Sequence, residues 1–294
     1  MTTEKDASAL SDVVCELGEG PNYDPISDTL FWFDIVGKKL LAHSFERNAT
    51  TTHDLGQMAS AVAFIDDQRQ LVLTETGLHI RDAETGKLSL HVAVEAENPV
   101  TRSNDARVHP CGAFWFGTMG KKAEKAAGSI YWYFKGETRL LYPGITIPNS
   151  ICFSPDGATA YYADTRENLL FRVNCDPETG LPTGDPAVFF DQSGGEGGLD
   201  GSVMDTDGVL WNARWGGASI DAYSPDGKRI RSVAVPTLQP SCPAFIGRDA
   251  SRMAVTSAWS GMDEDARAAD PLAGKTLILD LPVKGRLGPR ILIG

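Results

Sequence analysis

The sequence predicts an all-β fold: a six-bladed β-propeller with four antiparallel strands in each blade. Three observations carry that expectation. A strand–turn–strand pattern recurs six times, its copies are 41 to 51 residues apart, and together they cover nearly all of the 294 residues. Units of about 40–50 residues with four short strands each have the period of propeller blades. A lone antiparallel sheet of that size cannot bury both faces, so the units must stack around an axis.

The clearest copy is Ile147 to Thr165, IPNSICFSPDGATAYYADT, where an alternating apolar strand meets an Asp156-Gly157 turn and a second β-rich run. Alternation interrupted by Asp-Gly is a strong hairpin signal. With Asn149 as the head of the pattern, the other heads fall at Glu19, Ser60, Asn104, Asp200 and Cys242. The first strand of each blade is expected innermost, so the six heads converge on the mouth of the central channel. Four of them, Glu19, Asn104, Asn149 and Asp200, carry a carboxylate or amide oxygen.

Residues 1–12 read as a flexible leader and 13–294 as one propeller domain. Val13–Leu17 reads as the N-terminal strand that closes the ring on blade six, with the terminal RILIG competing for that place. In blade one, Glu19 lies in LGEGP; only its registry with Asn149 and Asp200 lifts it above a solvated turn residue. Trp32, Trp115 and Trp211 fall at matching places in second strands, as blade-packing residues. Blade two, headed by Ser60, reads as structural. The five histidines have no zinc-like spacing and read as surface or turn residues.

Blade three opens with TRSNDARVHP. Arg102 belongs to the loop entering the mouth, where it either meets substrate oxygens or pairs with Asp105. The loop from Met119 to Gly128, with Lys121 and Lys122, lies on the head face and reads as a candidate lid. The glycine-rich Gln192–Gly198 precedes Asp200 without the helix or GK[ST] of a phosphate loop. Asp263 and Asp265 resemble the start of an EF-hand loop but lack its glycine, and that reading is rejected.

The net charge of −12 disfavours nucleic acid as a partner, since phosphate binding needs a basic face. No apolar run approaches the ~18 residues of a membrane span, and the N-terminus has no signal-peptide pattern. Five cysteines without CxxC spacing argue against a disulfide framework, and a cytoplasmic location is expected.

The segments LGEGP, RSNDA with FWFGTM, IPNSICFSPDG with YYADT, LDGSVMDTDGVLWNARWGG, and QPSCPAF with VTSAW resemble the SMP-30/gluconolactonase family of regucalcin-like six-bladed propellers. They span nearly the whole chain in the family's order. The resemblance implies a divalent metal held by Glu19, Asn149 and Asp200, and substrate oxygens met by Arg102 and Asn104. Where some relatives carry an acidic residue just after GTM, this chain has Gly120, Lys121 and Lys122.

An all-oxygen donor set suits Ca²⁺ first, with Mg²⁺, Mn²⁺, Zn²⁺ or Fe²⁺ as alternatives. Such an ion would polarise a lactone carbonyl and activate water, with Asp200 as the catalytic base. No Ser-His-Asp set or G-x-S-x-G elbow accompanies it. The residues alone point to metal-assisted hydrolysis, and the resemblance implies its substrate: the expected function is metal-dependent hydrolysis of a sugar lactone to the aldonic acid. The alternatives are a non-catalytic Ca²⁺- or partner-binding propeller and a phosphotriester hydrolase at the same metal. The expected partner is a small-molecule lactone, with neither nucleic acid nor membrane.

Overall fold

The computed structural model describes residues 7–294. Six four-stranded antiparallel sheets follow one another around an axis. Blade one runs through Gly18–Asp24, Thr29–Asp34, Lys39–Ser44 and Ala49–Asp54. The first strands of the next four blades are Ala59–Phe64, Thr101–Val108, Pro148–Phe153 and Gly198–Met204. Blade six consists of Pro240–Ile246, Arg252–Ser257, Leu277–Leu279 and Ala7–Ala9.

Ring closure thus uses an N-terminal strand, but not the expected one. Ala7–Ala9 pairs antiparallel with Leu277–Leu279 as the outermost strand of blade six. Part of the expected leader is therefore built into the fold. Val13–Leu17 is a connection instead: Cys15 N–H donates to the Gly274 carbonyl, and Leu17 makes a single bridge to Ala258. RILIG joins no ladder. Its Ile291 is buried, and the N–H groups of Ile291 and Leu292 donate to the carbonyls of Phe64 and Gly112. The tail from Lys284 onward runs under the face opposite the heads, along the first-to-second-strand turns of the blades.

Apolar residues that alternate along the strands pack between adjacent blades, one cluster per junction. Trp32 and Trp115 are wholly buried in two of these clusters, and Trp211 is nearly so in a third. The five cysteines are free thiols. Three histidines depart from the surface reading: His43, His79 and His109 are buried. His109 packs edge-on against Phe153 and bonds the Gly157 carbonyl through Nε2 at 2.8 Å. Each is a core residue with a polar partner. Asp263 caps the short helix Glu264–Ala269, accepting from Ala266 N–H at 2.8 Å. Among the described residues no helix is long and apolar enough to cross a membrane.

In every blade the inner strand carries one extra residue near its head, a β-bulge opposite the second strand. The register shifts fall between Glu19 and Asn22, Ala59 and Ala61, Ser103 and Ala106, Asn149 and Cys152, Leu199 and Ser202, and Pro240 and Pro243. A bulge bends its strand and re-aims side chains. Here it turns polar groups of six strands toward one axis. The same positions fasten neighbouring inner strands. Ser60 Oγ donates to the Asn104 carbonyl and Ser150 Oγ to the Asp200 carbonyl, each at 2.6 Å, and Ser241 Oγ donates to the Gly18 carbonyl. At the junction of blades five and six, Gly201 lies so close to Cys242 that a Cβ would come within 2.4 Å of its sulfur.

Because each blade is held by its neighbours, a cavity at one junction weakens the ring. Trp115→Ala is expected to cost about 3–5 kcal/mol of unfolding free energy, read from urea denaturation. A loss below 1 kcal/mol would show that the junctions relax independently.

Candidate active site

Glu19 and Asn149 reach the axis by one local device. Each lies just before a residue in the left-handed region, Gly20 at φ +58° and Ser150 at φ +57°. Each is also preceded by a segment pinned to a carboxylate at the end of its blade's second strand. Asp34 accepts from the N–H groups of Glu16 and Leu17, and Asp164 from those of Thr146 and Ile147. Asn104 and Asp200 lie within the bulges of their own strands.

A chain of hydrogen bonds fixes the amides. Arg102 Nη1 donates to Asn104 Oδ1 (2.8 Å), and Asn104 Nδ2 donates to Asn149 Oδ1 (2.9 Å). Asn149 Nδ2 donates to Thr165 Oγ1 (2.8 Å), whose hydroxyl donates to the Leu199 carbonyl (2.6 Å). With its nitrogen committed outward to Thr165, Asn149 presents its oxygen inward. Arg102 forms no salt bridge to Asp105, the alternative weighed from the sequence. Besides Asn104 it bonds the Ser103 carbonyl, and the rest of its fork makes no bond to the described residues.

The acids are close enough to repel one another. Burial, then the charge of Asp105, pushes Glu19 up from 4.5 to about 8, although Gly20 N–H donates to its Oε2 at 3.1 Å. Burial, then Glu19 and Asp105, holds Asp200 well above the ordinary carboxylate range. Burial lowers Arg102 to about 10 against the opposing pull of Glu19 and Asp200. Glu19, Asp200 and Arg102 thus share one buried electrostatic neighbourhood, and the hydrogen-bond chain ties Asn104 and Asn149 to Arg102.

Two residues of this centre were not singled out from the sequence. Asp105 is buried, with Oδ1 accepting from Ala106 N–H (2.8 Å) and Oδ2 from Ile151 N–H (2.7 Å). Burial raises it to about 6. Arg107, two residues on, bonds the Ser202 carbonyl across the channel at 3.0 Å. Alternation along SNDARV was the available signal, since every second residue of an innermost strand faces the axis. The bulge at Asn104 breaks that phase. Asn212, wholly buried, donates to Ser150 Oγ and to the Asp200 carbonyl, fixing the backbone that carries Asp200.

The lysine loop lies at the same mouth. Lys121 N–H donates to the Val100 carbonyl and Ala126 N–H to Thr146 Oγ1. Lys121 Nζ pairs with Glu75 of blade two at 2.6 Å, so its charge is matched.

The donor set fits a hard divalent cation. Glu19 and Asp200 are buried carboxylates in one electrostatic neighbourhood, the Asn149 amide is joined to Arg102 through Asn104, and the Asp200 carboxylate accepts no side-chain hydrogen bond from the described residues. Among those residues no three His, Cys, Asp or Glu side chains form a metal cage, so the set depends on the Asn149 oxygen. Asp105 has both oxygens occupied by backbone N–H groups, and the Cys242 thiol is held neutral by burial.

The family model described as SMP-30/gluconolactonase/LRE-like region matches residues 17–259. A Rhizobium meliloti protein provisionally named a sugar lactone lactonase is 53% identical over 280 residues, covering 95% of each chain. L-arabinolactonase of Azospirillum brasilense is 38% identical, covering 92% of this chain and 91% of its own. The crystal structure of a calcium-binding protein, regucalcin, from Agrobacterium tumefaciens superposes with a TM-score of 0.95 at 50% identity, covering 96% of both chains.

The raised acids give the metal-free protein a pH signature. The folded chain holds more protons than the unfolded one between about 4.5 and 8, so stability falls as pH climbs through that window. In chelator, the melting temperature should drop from pH 5 to pH 8, and Glu19→Gln should flatten that slope. A slope unchanged by Glu19→Gln would contradict the placement of Glu19 in a buried acidic cluster.

Proposed function

The chain belongs to the SMP-30/gluconolactonase family, and on that footing we propose that it hydrolyses a sugar lactone to the aldonic acid, with a divalent cation held by Glu19, Asn149 and Asp200. One observation supports the reading: two buried acids share the electrostatic neighbourhood of a guanidinium with unused donors, to which the Asn149 amide is joined through Asn104. The relatives named as lactonases support the substrate class, and the calcium-binding Agrobacterium protein supports the ion.

When bound, the cation supplies Lewis-acid polarisation of the ring-ester carbonyl and acidifies a water. Asp200, buried beside Glu19, accepts a proton from the attacking water. Arg102 offers its remaining N–H donors to the lactone's hydroxyl or carbonyl oxygens, and Asn104 keeps a second lone pair on Oδ1 beside it. Glu19 keeps the mouth electrostatically suited to a cation. A protein that only stored calcium would have no use for the Arg102–Asn104 arm, which separates this reading from a non-catalytic binder.

Hydrolysis of a panel of aldono-lactones, followed by acid release, should vanish on complete chelation and return with Ca²⁺ or another divalent ion. Asp200→Asn should lower kcat by about 10²–10⁴-fold. Arg102→Met should act mainly on KM. Turnover that survives full chelation would overturn the metal assignment. Tight metal binding with no lactone turnover would make the chain a binding protein.

A further inference from the structure

At the end of the channel opposite the heads lies a partly open cavity of about 60 Å³. Its floor is the C-terminal tail at Arg286–Pro289, and its walls include Arg107, Phe153, Met204 and Phe245 from the inner strands. Two guanidinium groups line it, Arg107 from the ring and Arg286 from the tail, and no carboxylate does. The acids that feel these arginines, Glu19 and Asp105 for Arg107 and Asp156 for Arg286, lie outside the lining. Asp105 accepts from Ala106 and Ile151, and Asp156 on the outer turn accepts from Ser154 and Ala158.

The two cations are close enough that Arg107 helps to hold Arg286 below its ordinary value, after burial. Neither is saturated. Arg107 bonds only through Nη2, to the Ser202 carbonyl and the Cys242 sulfur, and its buried Nε has no partner. Arg286 donates to the carbonyls of Phe153 (2.9 Å) and Pro155 (3.3 Å). Asp105 partly offsets the charge of Arg107 from outside the lining, and the carbonyls that Arg286 meets leave its charge uncancelled. Two like charges facing a small, mostly apolar space repel more strongly than they would in water, because the walls screen them poorly. Water could fill the space, since a cavity needs roughly 10–15 Å³ to hold one molecule, but it would leave the repulsion standing.

We propose that this cavity binds a small inorganic anion of chloride type, which bridges Arg107 and Arg286 and thereby ties the C-terminal tail to the propeller. The anion supplies the negative charge that the lining lacks and accepts the unused guanidinium N–H groups. The tail touches blades two to six through Ile291, Leu292, Arg286, Lys284 and Gly285, so fastening it at Arg286 braces the ring from below. The site lies about 10 Å below the heads, three residues along an inner strand, and Arg107 links it electrostatically to Asp105 and Glu19.

The test uses the full chain. Crystals soaked in bromide should show an anomalous peak within hydrogen-bonding reach of both guanidinium groups. At constant ionic strength, replacing methanesulfonate by chloride should raise Tm by roughly 2–4 °C, and should slow amide exchange in residues 284–292. Arg286→Met should lose both responses while keeping the activity of the mouth. A cavity holding only water without anomalous signal, or an equal chloride response in Arg286→Met, would overturn the proposal.

Discussion

The structure turns on the enforced meeting of like charges. Glu19 and Asp200 are far apart in sequence, yet the ring delivers both to one buried point, with Asp105 close behind. Left to themselves such groups move apart or take up protons, because ionised acids in a poorly hydrated space repel strongly. The propeller prevents the first response. Its inner strands are stapled to one another by Ser60, Ser150 and Ser241, and its blades are locked by six apolar junctions. The acids are held in an arrangement that favours whatever brings positive charge.

That constraint explains the polar detail around the mouth. Arg102 is placed to serve the acids without pairing directly with them, since its hydrogen bonds go to Asn104 and a backbone carbonyl. Asn104 passes the orientation on to Asn149, and Thr165 completes it, so an amide that could point either way has one favoured direction. Asp34 and Asp164 perform the same task in opposite blades, holding the segments that lead to Glu19 and Asn149. A site built on backbone bulges of a closed ring is stiff, and stiffness is what pre-organised electrostatic catalysis demands.

Much of this was legible in the sequence. The period, the hairpin turns and the tryptophans at matching places gave the blades, because each reflects a local rule about turns and alternation. The four oxygen-bearing heads were legible through registry alone. What escaped detection depended on longer-range geometry. Ala7–Ala9 closes the ring, yet three small residues carry no β-branched or aromatic signal, so Val13–Leu17 looked the better strand. Asp105 and Arg107 were hidden by the bulge, which shifts the phase of alternation by one residue. His43, His79 and His109 looked superficial because a histidine satisfied by a single carbonyl or hydroxyl leaves no trace in spacing. The tail beneath the channel has no repeat to be compared with.

The most direct test is a high-resolution crystal structure of the protein grown with Ca²⁺. One ion is expected at the channel mouth, with oxygens of Glu19, Asn149 and Asp200 at about 2.3–2.6 Å. An ion bound elsewhere, or a mouth where these three side chains turn away from one another in the presence of millimolar Ca²⁺, would contradict it.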